Sequence, residues 1–175
     1  MKLRSVHAEN FRAIRSLTVL LDPALTVLHG NNAHGKTSVL AAIAVGLGTI
    51  PTILAGRGGI NFRKSDRRSD AAGFTWVDLD AWDTLDGAGA IKWRRYHLDS
   101  RMGTLFPPTD RGTMSLREYI TALATAVDHS RETTIPVIAF YDTDRAVFDI
   151  PERKRGFQGE FHRFNTYIDA LARKN

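Results

Sequence analysis

The chain has 175 residues, no cysteine, and 24 Lys+Arg against 19 Asp+Glu, for a formal charge of +5. That length suits one domain burying roughly 70% of its unfolded surface, and a hydrophobic fraction of 43% excludes wholesale disorder. The absence of cysteine excludes a disulfide scaffold, a Cys-ligated zinc site and a thiol nucleophile, while the basic balance favours nucleotide or nucleic acid as partner.

The N-terminal stretch MKLRSVHAENFR mixes charges and contains no hydrophobic signal core. The longest apolar run, residues 39–54, is interrupted by Gly46, Gly48 and Pro51. These features predict a cytoplasmic chain with no membrane contact, because a spanning helix needs about 20 continuous apolar residues. Residues 3–8, 17–21 and 25–29 read as three short strands, the third following the Asp22-Pro23 turn and running into Gly30. Residues 37–47, TSVLAAIAVGL, are apolar on nearly every face and predict a buried helix packed on a sheet. Gly46 and Gly48 mark its expected end.

Residues 56–73 are dense in Gly, Arg, Ser and Asp and predict a long mobile connection. FTWVDLDAW and AIKWRRYHL predict an antiparallel hairpin connected through Asp86-Gly87, with Asp78 and Asp80 facing Lys92, Arg94 and Arg95. A loop around Pro107-Pro108 follows. Ser115 and Glu118 form a capping box that opens a helix with Leu116, Tyr119, Ile120, Leu123 and Val127 on one face. IPVIAFY, residues 135–141, predicts a buried strand, and Phe157, Phe161, Phe164, Ile168 and Leu171 predict a last amphipathic helix. The expected domain thus has three stretches: 1–55, 56–114 with the hairpin, and 115–175.

The segment with the most chemistry is Gly30-Asn31-Asn32-Ala33-His34-Gly35-Lys36-Thr37, which fits G-x-x-x-x-G-K-[ST] at every defined position. Glycines let backbone N–H groups close on phosphate oxygens, and the following helix adds its positive end. Lys36 would neutralise the β/γ-phosphates and the Thr37 hydroxyl would ligate Mg²⁺. Ser38 completes the candidate set. Chance alone gives such a match in roughly one chain of this length in 200. The alternative, a glycine turn with an incidental lysine, does not explain the predicted strand before the loop and the helix after it.

Glu9-Asn10-Phe11-Arg12, followed by G-x-N-x-x-G-K-T-S-x-L-x-A-I from Gly30 to Ile43, resembles the SMC/RecF/OLD group of ABC-type ATPases, which act on DNA in repair, chromosome maintenance and anti-phage defence. VIAFYDTDRAV and the later Asp149-Ile150-Pro151 look like the Septu-type ATPases of bacterial defence systems. The resemblance implies an α/β P-loop NTPase of the ABC type, with a mixed sheet and an antiparallel hairpin at its edge. It implies ATP and Mg²⁺ as cofactors, nucleic acid as a partner, and self-association or an effector chain. It would bring Arg12 to the nucleotide, although a solvated strand-end arginine reads equally well. It also places residues 61–68 near where the family senses the γ-phosphate and Mg²⁺. Asp66 is then a second metal candidate, though a solvated loop acid among arginines is the plainer reading.

Neither an L-S-G-G-[EQ] segment nor an apolar strand ending in Asp-Glu occurs in the 175 residues. The Glu of that pair would activate the attacking water. The chain therefore reads as the N-terminal half of an ATPase, able to bind nucleotide but needing a second segment for hydrolysis. Two rivals are a complete small P-loop kinase using Asp142 or Asp144, and a nucleic-acid-binding module with a relic loop. Arg57, Arg63, Lys64, Arg67 and Arg68, then Lys92, Arg94 and Arg95, then Arg153, Lys154 and Arg155 are candidate phosphate contacts.

Overall fold

A computed structural model describes residues 1–55, 60–71, 73–85, 89–97, 115–130 and 132–141. The Asp86-Gly87 turn, the Pro107-Pro108 loop, the 157–171 helix, Asp142, Asp144, Arg57 and the Arg153–Arg155 cluster lie outside them. In chain order the elements are β1 (Lys2–Phe11), β2 (Ile14–Leu20), α1 (Lys36–Leu47), α2 (Thr49–Ala55), a 3₁₀ turn (Lys64–Asp66), β3 (Trp76–Asp83), β4 (Gly89–Tyr96) and α3 (Leu116–His129).

The strands form one sheet in the order β2-β1-β3-β4, and all three pairings are antiparallel. The expected mixed sheet is thus absent among the described residues, for an identifiable reason. The two further expected strands, 25–29 and 135–141, form no strand there. Leu25 is 74% exposed and Val27 68%, and within IPVIAFY Val137 is 95% exposed, so neither segment is buried on both sides.

Alternation sorts the sheet into two faces. Val6 and Ala8 of β1, Val77, Leu79 and Ala81 of β3, and Ile91 of β4 are buried, and α1 packs against β1, β3 and β4 with Ala41, Ala42, Ala44 and Val45 buried. Gly46 permits this close approach, because a Cβ there would run into the Leu79 side chain. The stretch Lys36–Leu54 is apolar enough to cross a bilayer by length and composition. In this fold α1 serves as a core helix instead, and it ends at Leu47 with Gly48 as its C-cap, as the glycine pair predicts. Pro51 sits in the first turn of α2, where its missing N–H is tolerated.

The opposite sheet face carries the hairpin charges in the expected register, Asp78 across from Arg94 and Asp80 across from Lys92. Arg94 grips Asp78 with two bonds, Nε–Oδ1 at 2.5 Å and Nη2–Oδ2 at 2.6 Å, and lies over the Trp76 ring. Arg95, one residue on, necessarily turns to the other face. Its guanidinium donates to the carbonyls of Val45 and Ile60 and to Asn61 Oδ1, stitching β4 to the end of α1. The second basic cluster is therefore divided between an ion pair and the protein interior. Trp93 and His97 are likewise engaged inside the fold, Trp93 donating to the Gly46 carbonyl and His97 packing edge-on against Phe62.

The capping box of α3 forms as its sequence dictates. The Glu118 amide donates to Ser115 Oγ at 3.3 Å and the Ser115 amide donates to the Glu118 carboxylate at 2.8 Å. Leu116, Tyr119, Ile120, Leu123 and Val127 are all buried, and α3 packs on α2 and β4.

Candidate functional site

The loop from Gly30 to Gly35 delivers the chain to the N-terminus of α1. Gly30 has φ 142° and Gly35 φ 86°, values that L side chains rarely adopt, while a Cβ at either position would meet no atom within 4 Å. Glycine is demanded here by backbone conformation rather than by crowding. Ala33 also lies at positive φ, 64°, where a side chain costs about 1 kcal/mol.

Gly35 caps α1 without a side-chain acceptor, and the first turn holds no acidic residue. The leading amides of the helix therefore have no side-chain cap, and the positive end of the helix dipole is not neutralised locally. Lys36 Nζ reaches back along the loop and donates to the carbonyls of Gly30 at 2.7 Å and Asn31 at 2.6 Å. This holds an ammonium directly over the turn. His34 Nδ1 hydrogen-bonds the Asn32 carbonyl at 2.9 Å, which requires the proton on that nitrogen. Asn31, Asn32, Ala33, His34 and Thr37 are exposed, whereas Ser38 is buried under the helix. An exposed Thr37 hydroxyl one residue after the lysine is the donor type that Mg²⁺ accepts, and the lysine and amides suit phosphate oxygens.

Arg12 and Asp66 are brought together at a second place. Arg12 occupies the tight turn between β1 and β2 at φ 51°, and its Nε donates to Asp66 Oδ1 at 2.7 Å. Asp66 is 0% exposed, and its Oδ2 accepts the Arg63 amide at 2.8 Å. Both carboxylate oxygens thus have protein donors, and the group does not reach solvent. Backbone bonds reinforce the junction: Arg12 N to Asp66 O at 2.8 Å, Arg68 N to Asn10 O at 3.0 Å, and a β-bridge between Phe11 and Arg67. The expected mobile connection is, over residues 60–71, a segment docked on the β1–β2 turn. Sequence reasoning identified Asp66 but not its burial. The available signal was its position as the lone acid within NFRKSDRR.

A family model described as an AAA domain matches residues 5–171. The chain is also similar to the DNA replication and repair protein RecF of Chlorobium luteolum, 49% identical over 43 residues. That match covers 25% of this chain and 12% of the relative. With a match across nearly all of its length, and with a phosphate loop on the N-terminus of its core helix, the chain belongs to the AAA domain family.

Proposed function

We propose that this chain is the ATP·Mg²⁺-binding N-terminal half of a DNA-directed, ABC-type ATPase, of the kind used in repair or anti-phage defence, and that hydrolysis requires a second segment. The observation that carries nucleotide binding is the Gly30–Thr37 loop, in which positive-φ glycines, the Lys36 ammonium and the uncapped start of α1 converge. Lys36 and the loop amides would hold the phosphates, and Thr37 would hold Mg²⁺, which when bound supplies charge neutralisation between phosphate oxygens.

The requirement for completion is supported by two features. The sequence lacks both the signature segment and the Asp-Glu strand end. In addition, Leu25, Val27 and Val137 expose most of their apolar surface on segments whose composition suits a sheet interior. The same segment, or a second head, would cover them, so self-association or a partner chain forms part of the reading.

Calorimetric titration of ATP·Mg²⁺ into the chain tests it. Saturable heat without continuing turnover is expected, with Lys36→Ala weakening binding at least tenfold. Sustained heat of hydrolysis by the chain alone would overturn the half-enzyme reading, and unchanged affinity in Lys36→Ala would overturn the loop assignment.

A further inference from the structure

We propose that the concavity lined by Arg12, Lys64, Ser65, Arg67, Arg68 and Ser69 is a docking site for the phosphodiester backbone of a nucleic acid. It is open, with a volume of about 710 Å³, and shares no residue with the phosphate loop. Four cations and two hydroxyls face it. Two neighbouring acids offset part of this charge, Asp66 through Arg12 and Asp70 through Arg68, so the lining keeps an excess of two cations over these two acids.

The site is built rather than incidental. Arg12 adopts a left-handed backbone conformation, and a fully buried carboxylate holds its Nε. A solvated arginine needs neither. Fixing the guanidinium through Nε leaves the two terminal nitrogens without a hydrogen-bond partner among the described residues, and that edge has the spacing for two phosphate oxygens. Lys64 is exposed and makes no ion pair among the described residues. The bridge between Phe11 and Arg67 and the Arg68–Asn10 backbone bond fix the backbone of Arg67 and Arg68 relative to Arg12, which reduces the ordering required on binding. A nucleotide's phosphates already have their own lysine and helix end in the loop. A surface whose cations come from two chain segments, with no aromatic side chain among its described lining residues, suits a repeating backbone read without sequence preference.

This inference rests on the DNA-directed reading above, and the test separates the two. Fluorescence anisotropy of labelled single-stranded and duplex DNA would be measured between about 50 and 200 mM salt, with ATP·Mg²⁺ calorimetry on the same proteins. Lys64→Ala should reduce the salt slope, d log K/d log[salt], by about one. Lys64→Glu should weaken DNA binding about tenfold for any sequence, with ATP affinity unchanged. The Lys64 side chain makes no hydrogen bond or ion pair among the described residues, so its variants report the surface itself. If the parent binds DNA and these variants keep its slope, the site is wrong while the DNA-directed reading stands. If ATP affinity falls instead, the concavity belongs to the nucleotide and the inference is overturned. If the parent binds no DNA, both the inference and the DNA-directed reading fail, whatever the ATP heats show for the loop.

Discussion

Arg12 Nε stands 2.7 Å from Oδ1 of Asp66, and the carboxylate it meets is completely buried although the arginine is 23% exposed. Such a pair adds little beyond what well-packed apolar residues would, yet it is hard to dismantle one partner at a time. Its consequence is positional. The β1–β2 turn and residues 60–71 are far apart in sequence, and this pair with its backbone bonds makes them one unit.

Asp66→Asn should therefore destabilise the chain by about 2–3 kcal/mol in urea unfolding, less than a fully buried pair because Arg12 reaches solvent. The Asn amide nitrogen would have to face either the Arg12 guanidinium or the Arg63 amide, donor against donor. Arg12→Ala should cost at least as much, about 3 kcal/mol, since it leaves the buried Asp66 carboxylate without its counter-cation and with only the Arg63 amide as donor. A loss below about 0.5 kcal/mol in Asp66→Asn would mean that the junction is held by its backbone bonds alone.

Much of this architecture was legible from local pattern. The Ser115–Glu118 box and the Leu116, Tyr119, Ile120, Leu123, Val127 face were fixed by 3.6-residue spacing, and the Asp78–Arg94 and Asp80–Lys92 pairs by two-residue alternation. What alternation could not show is how adjacent cations divide. Arg94 and Arg95 look like one patch in sequence, yet only one of them can face Asp78. Nor does composition tell a polar mobile loop from one docked through a buried carboxylate, because the difference lies in Arg12, remote in sequence. The 25–29 and 135–141 segments misled for the opposite reason. An apolar run signals burial, but the ladder that would bury it requires neighbours that a single segment does not specify.

Ala33→Gly should stabilise the chain. At φ 64° a methyl group is strained by about 1 kcal/mol, whereas glycine adopts this conformation freely. The greater freedom of the unfolded glycine offsets part of that gain, leaving a few tenths of a kcal/mol by thermal or urea unfolding. Nucleotide affinity should be retained, because the loop path is unchanged. A destabilised Ala33→Gly protein would mean that the loop does not hold this conformation in solution.

Arg95→Met tests the link between β4 and α1. Burial lowers the Arg95 pKa, and the side chain satisfies the Val45 and Ile60 carbonyls and Asn61 Oδ1 in place of a carboxylate. A methionine of similar length fills the space but donates nothing, so about 2 kcal/mol of stability should be lost. Amide exchange should accelerate most at the C-terminal turn of α1, read by hydrogen-exchange mass spectrometry. Uniform acceleration over the whole sheet would argue against a local role.

Asp83 gives the chain an acid-sensitive joint. Its Oδ2 accepts from the Met1 ammonium at 2.6 Å and from the Tyr119 hydroxyl at 2.7 Å, and its Oδ1 accepts from the Leu85 amide at 3.1 Å. Burial pushes this carboxyl up, but the bonds from Met1, Tyr119 and Leu85 together outweigh that and hold its pKa below the ordinary value. A depressed carboxyl stabilises the fold fully above its unfolded pKa of about 3.9 and loses that contribution as pH falls through the lower folded value. The parent chain should therefore exceed Asp83→Asn in stability by about 1–2 kcal/mol at neutral pH, and the gap should close progressively below about pH 4. Tyr119→Phe should narrow the gap without abolishing its pH dependence, because the Met1 contact remains. Urea melts of the three proteins from pH 7 to 3 decide the matter: parallel curves for the parent and Asp83→Asn would mean that Asp83 titrates as an ordinary solvated acid.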